Sequence, residues 1–272
     1  MQKVMRKGSE VITLVFISEC LNTILTKITF KIINLRALRK PIKIEGEIMK
    51  RSEINHLIAD SIDFFERMNF RLPPWAFWQA PEWKGKYKTC SEIVDNMLGW
   101  DLTDFGSGDF HKRGLILFTI RNGNPQRDKK SYAEKAMIVE EMQETPLHFH
   151  WNKMEDIINR GGGNLVMELF HSDANGGLST KAVNFKTDGV LRSIDAGGIV
   201  VLAPGESICL EQGIYHRFYG EPGKGKVFVG EVSAVNDDSA DNRFYEDVGR
   251  FPEIEEDEEP DFLLVSDYVR YL

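Results

Sequence analysis

TPLHFHWNKMEDIINRGGG, residues 145–163, decides how the rest of the chain is read. His148 and His150 are two residues apart. Side chains of a strand alternate faces with a period of two, so both imidazoles fall on one face. Glu155 follows in the next few residues, and Gly161, Gly162 and Gly163 then mark a turn. Two imidazoles and a carboxylate make three corners of a metal site. A fourth corner has to come from elsewhere in the chain.

Working outward, the surroundings read as strands and turns. The apolar runs GLILFTI (114–120) and KAMIVEEM (135–142) flank the turn signal Asn122-Gly123-Asn124-Pro125. Further strands are expected at 147–151, 154–159, 165–171, 181–187, 190–194, 199–203, 207–210, 214–219 and 226–233. Asp188-Gly189 is a hairpin signal between two of them. Many short strands punctuated by Gly and Pro predict a sandwich or closed barrel, a mainly β fold. Ahead of them, Ile54, Leu57, Ile58, Ile62, Phe65 and Met68 recur at helical intervals. They predict an amphipathic helix over 52–68 that Ser52 caps. LPPWAFWQAPEW (72–83) holds three prolines and excludes regular helix. A short helix is expected near 91–98, with Gly99 ending it. The acidic run EIEEDEEPD (253–261) reads as a solvated surface or tail segment.

The 272 residues carry a formal net charge of −8, which argues against nucleic acid as a partner. Three cysteines, Cys20, Cys90 and Cys209, share no metal or redox spacing and read as reduced thiols of a cytoplasmic protein. Residues 1–48 stand apart, with nine Lys/Arg against four Asp/Glu and no Trp, Tyr or His. Their run VITLVFI (11–17) is too short to span a bilayer, and Ser18-Glu19-Cys20 is no clean signal cleavage site. No membrane is expected as a partner. EGEIM (45–49) can be encoded as a purine-rich ribosome-binding sequence followed by ATG. The expectation is an upstream-translated extension over 1–48. A domain over 49–272 follows it, with a helical segment at 49–110 and an acidic segment at 253–272.

Of the six histidines, His56, His111 and His171 carry no companion signal. His148-Phe149-His150, four residues, Glu155, six residues and Gly162 match the first motif of the cupins, G-x5-H-x-H-x3,4-E-x6-G. Met142 stands at its leading glycine. Gly198, five residues and Pro204, then Gly213, two residues and His216, resemble the second motif, with extra residues between the halves and Gly220 at its final Asn. His216 is thereby the expected fourth corner with His148, His150 and Glu155. Three imidazoles and one carboxylate suit Mn(II), Fe(II) or Zn(II) better than Ca(II) or Mg(II). Two positions of a six-coordinate ion stay open for a chelating substrate.

From Met49 onward the chain resembles the bacterial D-lyxose isomerase family of cupin-fold aldose–ketose isomerases. PPWAFW, GIYHRFYGE, GEVSAVNDDSADNRF and FPEIEEDEEP carry the likeness along with the opening stretch. The resemblance implies Mn(II), with Fe(II), Co(II) or Zn(II) as alternatives, and interconversion of D-lyxose with D-xylulose, often with activity on D-mannose and D-fructose. It also implies a small sugar substrate, a homodimer and a cytoplasmic location. An Fe(II)-dependent dioxygenase on the same ligands and a non-catalytic sugar-binding cupin are the alternatives.

Moving a carbonyl from C1 to C2 needs a base to shuttle a proton on one face of a cis-enediol, or a metal-assisted hydride shift. Glu231 is the expected base. In KVFVGEVS (226–233) it shares a face with Val227 and Val229, where a lone carboxylate is costly without a partner. Lys153 and Lys135 are expected to steady sugar oxygens or enediolate charge, and Arg243 to hold a loop that closes the pocket. Trp75, Trp78 and Trp151 are candidate stacking faces for a sugar, with packing as the commoner use of aromatics.

Overall fold

The computed structural model describes residues 48–235 and 241–272. The expected extension, save Ile48, and the first part of NDDSADNRF lie outside the described residues. In chain order the strands are β1 (Met49–Lys50), β2 (Gly99–Thr103), β3 (Leu115–Arg121), β4 (Tyr132–Val139), β5 (Thr145–His150), β6 (Glu155–Gly162), β7 (Leu165–His171), β8 (Val183–Thr187), β9 (Val190–Ile194), β10 (Gly198–Leu202), β11 (Ser207–Leu210), β12 (Ile214–Gly220), β13 (Val227–Ala234), β14 (Asn242–Phe244) and β15 (Ile254–Glu255). Helices α1 (Arg51–Arg67) and α2 (Tyr87–Asp95) precede the main sheets, and α3 (Tyr268–Tyr271) ends the chain.

Two antiparallel sheets make the cup. One runs β2-β3-β4-β13-β6-β11-β8-β9, the other β10-β7-β12-β5-β14. Their inner faces share one apolar core, to which the first sheet gives Leu117, Met137, Ile157 and Val229 and the second Leu165, Met167, Leu169 and Phe218. The alternate residues Ile116, Phe118, Ala136, Ile138 and Phe228 point outward, where Ile54, Ile58, Phe64 and Phe65 of α1 cover them. Both faces of β3 and β4 are therefore buried, which is why these segments read as unbroken apolar runs and not as alternation. This is the cupin architecture expected from the sequence, with N-terminal helices packed on the barrel. No helix among the described residues is long and apolar enough to cross a membrane.

The glycines that close the opening stretch have a local reason. Gly162 sits at φ +86°, and a Cβ there would lie 2.3 Å from the Lys226 carbonyl oxygen, so only glycine lets β6 meet the chain entering β13. Met142, which replaces the cupin glycine, takes φ +57°, the left-handed conformation that glycine adopts without strain.

Several local expectations need correction. Ser52 does not cap α1. The helix starts one residue earlier, and Ser52 instead donates from Oγ and backbone N to Asp257, at 2.7 and 2.9 Å. The second helix lies at 87–95, earlier than expected, and Gly99 opens a strand rather than ending a helix. The acidic run is no free tail. Arg51, 1% exposed, bonds Glu256 from Nε at 2.8 Å and Asp267 through Nη1 and Nη2 at 3.0 and 2.9 Å. A buried guanidinium requires such partners, so the carboxylates fold back over the start of α1. Replacing Arg51 by Met, which strands buried Asp267, is expected to cost about 3–5 kcal/mol in equilibrium denaturation. A loss below about 1 kcal/mol would show that the network contributes little.

Candidate functional site

The site forms where the inner faces of the two sheets meet. His148 and His150 project from β5, and His216 on β12 pairs in register with His148. Sheet pairing, not sequence proximity, thus supplies the third imidazole. Ring nitrogens of the three lie within 4.8 Å of one another. Glu155, at the start of β6, places Oε1 at 3.2 Å from His150 Nε2 and 3.1 Å from His216 Nε2. All four side chains are buried.

Carbonyl oxygens only accept, so their contacts fix two tautomers. His148 Nδ1 donates to the Pro146 carbonyl at 2.7 Å and His216 Nδ1 to the Ile214 carbonyl at 3.1 Å. Each Nε2 is left with a lone pair. Neither ring nitrogen of His150 has a hydrogen-bond partner, although both are buried. Its 3.2 Å approach to Glu155 is a contact without hydrogen-bond geometry. Burial, then the two neighbouring imidazoles, pushes His148 well below its ordinary range and keeps it neutral. Burial would raise Glu155, but Lys153 and His150 outweigh it and hold the carboxyl well below the usual range. Three imidazoles beside an ionised carboxylate are a donor set that fits a divalent transition ion.

Beside this cluster stands a second one, which the sequence did not reveal as a unit. Lys153 Nζ bridges Glu155 Oε2 at 2.7 Å and Glu231 Oε1 at 2.8 Å, while Lys135 Nζ lies 3.4 Å from Glu231 Oε2. Ser233 Oγ donates to Glu231 Oε1 at 3.0 Å. The pairing of β4, β13 and β6 makes this possible, because Glu231 lies opposite Lys135 on one side and Ile157 on the other. Burial would raise the Glu231 carboxyl, but Lys135 and Lys153 outweigh it and hold it below its ordinary value. Lys153 is held above its ordinary value, since Glu155 and Glu231 outweigh a burial that would lower it. Asp241 fixes the strand exit by accepting from the backbone N–H groups of Asn152 and Lys153, at 2.7 and 2.9 Å.

The three histidines, Glu155, Lys153, Lys135 and Glu231 line a cavity of about 320 Å³, at the small end of ligand pockets. Phe105, Met137, Ile157, Phe218 and Phe244 give it apolar walls, and Asp101, Thr145, Asn242 and Arg250 add polar groups. Arg243 is not among them. β14 pairs with β5 so that Arg243 faces Phe149 in register, on the side opposite the histidines, and its exposed side chain bonds the Phe244 carbonyl. The tryptophans take the packing role that is the commoner use of aromatics. Trp75 packs on Phe118, Trp78 on Trp83 and Trp151 on Phe149, and none of the three lines the cavity.

Comparison with known proteins adds the following. The family model of D-lyxose isomerase matches residues 49–268. A D-lyxose/D-mannose isomerase of Serratia proteamaculans is 49% identical over 227 residues, which is 82% of this chain and 100% of that protein. One from Escherichia coli O157:H7 is 44% identical over the same shares. Among solved structures, Cellulomonas parahominis L-ribose isomerase with no ligand aligns with TM-score 0.52 at 13% identity, over 76% of this chain and 99% of that one. Acinetobacter sp. DL28 L-ribose isomerase in complex with L-ribose aligns with TM-score 0.50 at 15% identity, over 74% and 94%. At those identities the structural likeness speaks for the fold alone.

Proposed function

The chain belongs to the D-lyxose isomerase family, and from that premise we propose that it interconverts D-lyxose with D-xylulose, and D-mannose with D-fructose, through a cis-enediol. Membership makes it an aldose–ketose isomerase, which sets aside the oxygenase and the non-catalytic cupin weighed on sequence grounds. The observation that carries the mechanism is the buried pair of clusters sharing one cavity, three histidines with Glu155 on one side and Lys135–Glu231–Lys153 on the other. His148, His150, His216 and Glu155 are the residues that would hold a divalent ion, Mn(II) first, which supplies Lewis acidity for the charge that develops at O1 and O2.

The remaining roles fall to the chain itself. Glu231, ionised between two ammonium groups, accepts the C2 proton and returns it to C1 from the same face, while the hydroxyl proton of O2 passes to O1 across the cis-enediol. The proton count is unchanged over the cycle. Lys153 and Lys135 stand where negative charge builds on the enediol oxygens and stabilise it at no reorganisation cost, because Glu155 and Glu231 already hold them in place.

The test strips the protein of metal, adds back Mn(II), Fe(II), Co(II) or Zn(II) singly, and assays D-lyxose, D-mannose and glucose 6-phosphate for ketose formation. Turnover of the two free sugars, restored by Mn(II), is the expected result. A phosphosugar preference would overturn the substrate class, and full activity in the stripped protein would overturn the role of the ion.

A further inference from the structure

Thr145 was not singled out by sequence, because strict alternation puts it on the face of β5 opposite His148 and His150. The structure changes that parity. β5 and β12 pair at His148 with His216 and at Thr145 with Phe218, so three steps on β5 oppose two on β12. The extra residue is a β-bulge, a device that re-aims a side chain. Thr145 thereby joins the two histidines in lining the cavity.

Its hydroxyl is an anomaly there. Thr145 is 3% exposed, yet Oγ1 has no hydrogen-bond partner. A buried hydroxyl left unpaired destabilises the fold, and valine has the same shape without that cost. Apolar neighbours such as Phe218 offer nothing to bond. One rotation about χ1 exchanges the hydroxyl for the methyl against the cavity. On the isomerase reading, Lys135, Lys153 and Glu231 act at the C1–C2 unit. A neutral hydroxyl, both donor and acceptor, suits the uncharged remainder of the sugar.

We propose that Thr145 is a sugar-recognition residue whose hydroxyl is satisfied only when substrate is bound, by a substrate hydroxyl beyond the C1–C2 unit. The proposal rests on the isomerase reading above, and its test separates the two.

Thr145→Val and Thr145→Ser are compared with the wild type in metal-replete enzyme. Val removes the hydroxyl and keeps the shape. It is expected to lower kcat/KM on D-lyxose about tenfold or more and to raise Tm by about 2–4 °C, while Ser keeps most of the activity. Among aldoses lacking one hydroxyl at C3, C4 or C5, one is expected to react equally with wild type and Val, which identifies the contacted position. Undiminished kcat/KM in the Val enzyme overturns the proposal. So does a fall in its Tm, which would mean the hydroxyl is bonded within the protein. A deficit that persists with every deoxy sugar also overturns it. A wild-type chain that converts no aldose sinks the isomerase reading instead, and the Tm comparison, made without sugar, still decides whether the hydroxyl is unpaired.

Discussion

A Glu231→Gln enzyme is expected to lose about 10²–10⁴ of its kcat on D-lyxose while it stays folded and retains metal. The substitution keeps the size of the side chain and an oxygen that accepts from Lys153 and Ser233, so the geometry at 2.8 and 3.0 Å has a replacement. What it removes is the ability to take up a proton. Two ammonium groups beside a neutral amide then lack one counter-charge, so a modest fall in stability is expected too. Far-ultraviolet dichroism and metal content separate that from the loss of chemistry. The isotopic readout is sharper. Turnover in D2O by the wild type is expected to place deuterium at C1 of the product ketose, or at C2 of the aldose formed in the reverse direction, and the variant to lose this in step with kcat. Full turnover by the Gln enzyme, or no solvent deuterium in the wild-type product, would move the mechanism to a hydride shift.

The two halves of this site differ in how far the sequence reveals them, and the difference is physical. His148 and His150 are legible because the period of a strand is local. A two-residue spacing sets their common face whatever the strand pairs with. Glu231 is half legible. Its face follows from the same period, but its partners come from β4 and β6, distant along the chain, and no local rule specifies that pairing. Thr145 shows the period failing, and Arg243 shows it holding within a register that no local rule specifies. A single inserted residue flips Thr145 into the cavity. Arg243 faces away because β14 takes its register from β5, so that Asn242 and Phe244 fall on the side of His150 and His148. β2 was hidden for another reason. Trp100 and Leu102 look like part of a helical region until Asp101 and Thr103 are seen on the cavity side. The acidic segment misled because a charge run normally stays solvated, and only a buried Arg51 contacting it makes it structural.

His216→Ala is expected to abolish turnover and to weaken metal retention by more than the 10–100-fold that loss of an outer hydrogen-bond partner costs. His216 is the ligand candidate that the strand pairing, not the local stretch, brings in. Its ring centroid lies 4.2 Å from that of His148, and its Nδ1–H is already spent on the Ile214 carbonyl, so Nε2 has no role in the fold other than facing Glu155 and the cavity. Removing the ring therefore takes away a donor atom without cutting a sheet bond, since the backbone pairing of β12 with β5 and β7 does not use the side chain. Glu155 keeps Lys153 and is not stranded as an unpaired buried charge. The variant should consequently fold with near wild-type dichroism while elemental analysis after dialysis finds little Mn(II). If His216→Ala instead holds one equivalent of metal and converts D-lyxose at the wild-type rate, the ion does not sit among these four side chains. The chemistry would then have to be carried by the Lys135–Glu231–Lys153 cluster alone.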